Sequence, residues 1–170
     1  MSVWPAGALG SDPAADLRGD LAGAIGLQAW GVELGYGSFL LLSFGEHDQA
    51  APWRGEWHLW VYCTFWRIET DEMVYAACEQ ERERLVDLVR VLEGRTLVGT
   101  DVEVPSLSLT LYFSEGLRLH TFSFKADDGA DHWMLFLPDG NVRVAGPGPT
   151  WAIGPSRKTR GSPPGREVNR

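Results

Sequence analysis

The chain has 170 residues, 44% of them hydrophobic and eight of them tryptophan, with a net charge of −8. That apolar content excludes a wholly disordered chain, and the length suits one domain or two half-domains sharing a core. Residues 155–170 carry five basic side chains and one acid, leaving the preceding residues ten basic and twenty-two acidic groups, a net of −12. So acidic a body disfavours nucleic acid as its ligand, because phosphate binding needs clustered Lys and Arg.

In chain order, residues 1–16 are rich in Pro, Gly and Ala without a period and read as a flexible N-terminal arm. Asp16 is placed to cap a short helix over residues 17–25. Residues 38–44 are apolar almost throughout, as in a strand covered on both faces. Gly45–Gly55 reads as a surface loop. Residues 56–68 alternate: Trp57, Leu59, Val61, Cys63 and Phe65 face a core, while His58, Trp60, Tyr62, Thr64 and Trp66 form an aromatic, half-polar opposite face. Leu85, Leu88, Val89 and Leu92 recur at helical spacing and predict a main helix over 77–93, ended by Gly94.

Leu107, Leu109, Leu111 and Phe113 alternate with Ser106, Ser108, Thr110 and Tyr112, so this strand buries one face. Residues 117–124 pair with it across a Ser-Glu-Gly turn. Residues 133–137 and 142–144 flank Pro138-Asp139-Gly140-Asn141, a second hairpin signal. Gly146-Pro147-Gly148-Pro149 ends the regular structure, Trp151 and Ile153 dock back on the body, and residues 154–170 read as a disordered basic tail.

The same β-rich pattern occurs twice. Residues 32–44 (VELGYGSFLLLSF) match 102–113 (VEVPSLSLTLYF), Trp66/Ile68 matches Trp133/Leu135, and Val74 matches Val142 across the acidic turns Asp71-Glu72 and Asp139-Gly140. Leu21-Ala22-Gly23 and Leu92-Glu93-Gly94 precede the two copies. The expected fold is mainly β (α+β): two related antiparallel units, about 26–76 and 96–146, in a pseudo-two-fold arrangement, joined by the helix into one domain over 17–153. A sandwich and an incomplete barrel both satisfy the pattern.

Chemistry is sparse. His47, His58, His120 and His132 make no metal-binding spacing, and the acidic loop Asp127–Asp131 before His132 lacks the ligand order of a calcium loop, so His132 is expected at the edge of a solvated hairpin. Cys63 and Cys78 make no C-x-x-C and read as small buried hydrophobes; Cys63 and His58 fall on opposite strand faces, so they form no nucleophile–base pair. Ser43 and Ser114 end strands, where hydroxyls serve turn backbone. Glu33 and Glu103 occupy equivalent positions and are read as two exposed edge acids, the alternative being an acid pair across the dyad. No G-x-G-x-x-G or Walker A sequence is present, and no cofactor is expected. Neither a secretory signal nor a membrane span is apparent, which makes the cytoplasm the expected location.

In Gly, Ala and Arg usage the chain resembles small proteins of high-GC bacteria, some of which neutralise secreted toxins as immunity partners. The resemblance is compositional and assigns no residue a role. Three functional readings follow: a non-catalytic acidic module that binds a basic protein, for instance an immunity-type inhibitor; a small-molecule binder with Trp60, Tyr62, Trp66 and His120 lining a site between the units; and a hydrolase built on an acid pair.

Overall fold

The computed structural model describes residues 12–123, 130–146 and 150–156. Among them lie α1 (Pro13–Ala22), β1 (Trp30–Leu34), β2 (Leu40–Asp48), β3 (Ala51–Val61), β4 (Phe65–Glu69), β5 (Val74–Ala77), α2 (Arg82–Leu88) and a 3₁₀ turn over Val89–Leu92. They are followed by β6 (Leu97–Val102), β7 (Leu109–Phe113), β8 (Arg118–Phe122), β9 (Trp133–Phe136), β10 (Asn141–Ala145) and β11 (Trp151–Pro155). The fold is mainly β, of α+β type, with two antiparallel sheets.

One sheet runs β1-β2-β3-β9-β10-β11, the other β5-β4-β8-β7-β6. Each three-stranded meander is thus extended by a hairpin from the other half of the chain: β9-β10 joins β1-β2-β3, and β4-β5 joins β6-β7-β8. The crossing tryptophans take matching positions. Trp66 Nε1–H donates to Ser38 O at 2.7 Å and Trp133 Nε1–H to Leu107 O at 2.8 Å, each carbonyl lying two residues before a central meander strand. The main core fills the space between the sheets with Leu40, Leu42, Phe44, Leu59, Leu109, Leu111 and Leu119, all fully or almost fully buried.

The helices close the gaps at the sheet edges. α1 buries Leu17 and Leu21, starts on Asp12, whose carboxylate accepts the Ala14 N–H at 3.0 Å, and packs on β6. Asp20 on α1 accepts from Arg143 Nε at 2.6 Å, fastening the helix to β10. The second helical segment buries Leu85, Val89 and Leu92, the stripe the periodicity predicts. Beyond it, Glu93 accepts the N–H groups of Gly31 and Val32 at 3.0 and 2.9 Å, covering donors on the edge strand β1.

Several expected boundaries move. Residues 12–16 belong to α1 and its cap, not to an arm, because Asp12 supplies the cap; residues 1–11 lie outside the described region. The main helix begins at Arg82, since Val74–Ala77 pair with β4 and the Ala77 N–H is taken by Gln80 Oε1 at 2.7 Å. Gly45–Gly55 is no loop: β2 and β3 continue through it with two register shifts. Residues 56–68 are two strands, not one. After Val61 the chain passes to the other sheet, where Thr64 Oγ1 donates to Phe122 O at 2.6 Å. Regular structure also extends past Gly146, as Trp151–Pro155 pair with Asn141–Ala145; residues 157–170 lie outside the described region. His132 is buried rather than solvated, with Nδ1 2.8 Å from Ser123 Oγ and its own N–H on Ala145 O. Residues 124–129 of the acidic loop are not described.

Candidate functional site

The crossing between sheets decides where the four ligand-site residues go. Trp60 ends up on the outer face of the six-stranded sheet, in a cluster with Leu41, Met134, Phe136, Val142 and Val144. Tyr62 packs at the margin of that cluster, its ring 4.3 Å from Phe39, and burial pushes its phenol pKa up, with Cys63 and Asp131 adding to the effect. Trp66 belongs to the core between the sheets. His120 stands on the outer face of the five-stranded sheet. The structure brings Trp60 and Tyr62 together and separates Trp66 and His120 from them. Strand alternation alone put Trp60 and Trp66 on one face; the break at Tyr62–Thr64 sends them to different layers.

The outer face of the five-stranded sheet is open and charged. Phe65 and Phe122 are cross-strand partners, as are Arg67 and His120, and Glu69 and Arg118. Arg67 lays its guanidinium over the Phe122 ring at 4.7 Å and pairs with Glu69. Arg118 donates to Glu69 at 2.9 Å and to Asp71 at 2.6 Å. Burial opposes ionisation of Glu69, but hydrogen bonds from Arg118 and Arg67 outweigh it and hold the carboxyl below its usual range. Partial burial, aided by Arg67 and Arg118, lowers the His120 pKa against the pull of Glu103 and Glu69. A hollow of about 460 Å³ lies here, lined by Phe65, Trp66, Arg67, Ala77, Glu79 and Phe122. Phe65 is 47% exposed and Tyr112 41%.

The outer face of the six-stranded sheet is dry. The tip of β3 lies over it: the Arg54 guanidinium is 4.3 Å above the Phe136 ring and Trp53 stands edge-on to His58 at 5.3 Å. Gly55 permits this path, since a Cβ there would meet Phe44 O at 2.4 Å. The Gly55 N–H instead reaches Ser43 Oγ at 3.0 Å, and that oxygen is 2.7 Å from His58 Nδ1. Arg54 is anchored by Asp48 at 2.7 Å. Burial, reinforced by the Arg54 charge, lowers the His58 pKa to about 3.

Phe65, Arg67, Glu79 and Phe122 escape sequence reasoning because Phe65 and Arg67 read as the tail of the preceding strand. The one signal is Cys63-Thr64, a small polar interruption between aromatic runs without glycine or proline. Glu33 and Glu103 are both exposed, one on β1 and the other just beyond β6 in the other sheet. Among the described residues no three His, Cys, Asp or Glu side chains gather in a way that would hold a metal ion, and no helix is long and apolar enough to cross a membrane. Comparison with known protein families, curated proteins and solved structures finds no match.

Proposed function

We propose that this chain is a non-catalytic binding module for a basic protein, and that its contact surface is the outer face of the five-stranded sheet. The observation that carries the reading is the open hollow on that face, which places the aromatic rings of Phe65 and Phe122 beside Arg67 and Glu79. Aromatic and arginine side chains around a shallow apolar depression are the groups that dominate protein–protein contacts. Two further features support a basic partner. The residues before 155 carry a net charge of −12. Glu79 and Asp71 are exposed at this face and Glu103 is close enough to His120 to act on its ionisation, so approach of a cationic surface is favoured. An immunity-type inhibitor of a secreted toxin is one biological form of such a module.

The test is capture from native lysate with tagged wild type and with the double variant Phe65→Ser, Glu79→Lys, at low and high salt. The expected result is a basic protein held by wild type at low salt, released at high salt and not held by the variant. Identical retention by wild type and variant, or retention indifferent to salt, would remove this face from the reading.

A further inference from the structure

We propose that the hollow on the outer face of the five-stranded sheet receives an arginine side chain of the partner. Its guanidinium would sit on the Glu79 carboxylate and its stem along the rings of Phe65 and Phe122. The inference rests on the protein-binding reading and names the group that the contact surface takes hold of.

The groups invoked share one space. Phe65, Phe122 and Glu79 all line the same hollow of about 460 Å³, together with Trp66, Arg67 and Ala77. Phe65 and Phe122 are cross-strand partners on β4 and β8, so their rings form one apolar wall. Such a wall covers a long aliphatic stem while the charged head stays at the rim.

Charge decides which head. On this face Arg67 and Arg118 stand among Glu69, Asp71 and Glu79. Both arginines are engaged. Arg67 pairs with Glu69, and Arg118 donates to Glu69 at 2.9 Å and to Asp71 at 2.6 Å. Glu79 is exposed and, among the described residues, accepts only from the Cys78 thiol, at 3.4 Å. An anionic ligand would have to compete with Glu69 for Arg67, whereas a cation meets Glu79 with no such competitor.

The molecule already displays the mode of binding. Arg67 lays its guanidinium over Phe122 at 4.7 Å and is closed by the carboxylate of Glu69. An incoming guanidinium against the ring wall, closed by Glu79, repeats that arrangement. A planar guanidinium stacks on rings, pairs two N–H groups with a carboxylate and is more weakly hydrated than an ammonium, which favours arginine over lysine.

The test is titration of the full ¹⁵N-labelled chain with the capped peptide acetyl-Gly-Arg-Gly-amide at constant ionic strength. The expected result is saturable shifts of the Phe65, Ala77 and Phe122 amides at millimolar peptide. The citrulline peptide, uncharged but of similar shape, should not bind, and the lysine peptide should bind more weakly. Glu79→Gln should weaken arginine binding about fivefold, the upper end for an exposed ion pair. Glu72→Gln, an exposed position on the same hairpin but outside the hollow, should leave it unchanged. Unmoved amides, equal binding of the citrulline or lysine peptide, tighter binding of a glutamate peptide, or indifference to Glu79→Gln would overturn the proposal. Lysate capture separates this from the reading beneath it. A basic protein lost from the double variant, with arginine binding indifferent to Glu79→Gln, would keep the contact face and refute its arginine seat. A Glu79-dependent arginine site with no protein captured would sustain the seat and fail the binding-module reading.

Discussion

Both sheets carry a hydroxyl–imidazole pair on their outer faces, and the two faces finish it in opposite ways. Ser43 on β2 meets His58 on β3; Thr110 on β7 meets His120 on β8. Around His58 the neighbours are Trp53, Trp60 and Phe136, with the ion pair of Arg54 and Asp48 beside them. Around His120 they are Arg67, Arg118, Glu69 and Glu103, with water at hand. One face is a small second core with a histidine locked neutral. The other is a charged, aromatic surface of the kind a partner covers. The lesson is that the layer plan sets where a side chain points, while its immediate neighbours set whether that place is dry.

The largest expected effect tests what the halves share. Trp66 and Trp133 each fill the core beside the opposite meander and each give their indole N–H to a buried carbonyl. Trp66→Ala and Trp133→Ala should each cost ~3–5 kcal/mol by urea denaturation, the range for removing a large core aromatic. A large inequality between them would show that the two crossings differ in weight despite their matched geometry.

Acid stability sharpens the contrast between the histidines. The His58 pKa falls from 6.5 in the unfolded chain to about 3 in the folded one, so below pH 6.5 the unfolded state binds the extra proton. Stability from this group is complete above the unfolded value and drains away as pH falls toward the folded one, by at most ~1.4 kcal/mol per pH unit. His58→Gln should flatten that limb of the stability–pH curve measured by chemical denaturation. His120→Gln should alter it far less, because that ring is half-exposed and carboxylates offset the arginines beside it. Equal flattening by both variants would erase the distinction drawn between the faces.

The layers were largely legible from the residues, and their edges were not. The stripe of Leu85, Val89 and Leu92 and the Pro-Asp-Gly-Asn hairpin lie where local pattern predicts them. The alternating leucines of 107–113 are buried, but the strand begins only at Leu109, and Ser108 and Thr110 on its other face are buried too. What pattern missed is the point of crossing. A strand that leaves one sheet and enters the next can keep its two-residue period, so the small residues Cys63-Thr64 are the sole mark of the change of face. For that reason Trp60, Trp66 and His120 look like one wall in the sequence and occupy three layers in the fold. The cluster around His58 was invisible for another reason: it depends on Trp53 and Arg54 folding back from a stretch whose Pro and Gly suggest a loop.

The finest distinction lies in the hydroxyls. Ser43 serves two buried groups at once, accepting from the Gly55 N–H and hydrogen-bonding His58 Nδ1, with all three residues buried. Ser43→Ala strands both and should cost ~1–3 kcal/mol by denaturation, the penalty for leaving buried polar groups unsatisfied. Thr110→Val keeps the shape of its side chain and removes only the bond to His120, whose half-exposed ring has water as a substitute partner. Its cost should stay below ~1 kcal/mol. A Thr110→Val variant as damaging as Ser43→Ala would mean that His120 is as isolated from solvent as His58, and the open-face reading of the five-stranded sheet would have to yield. The ordering expected here follows from solvent at the imidazole and from the second buried group that Ser43 serves.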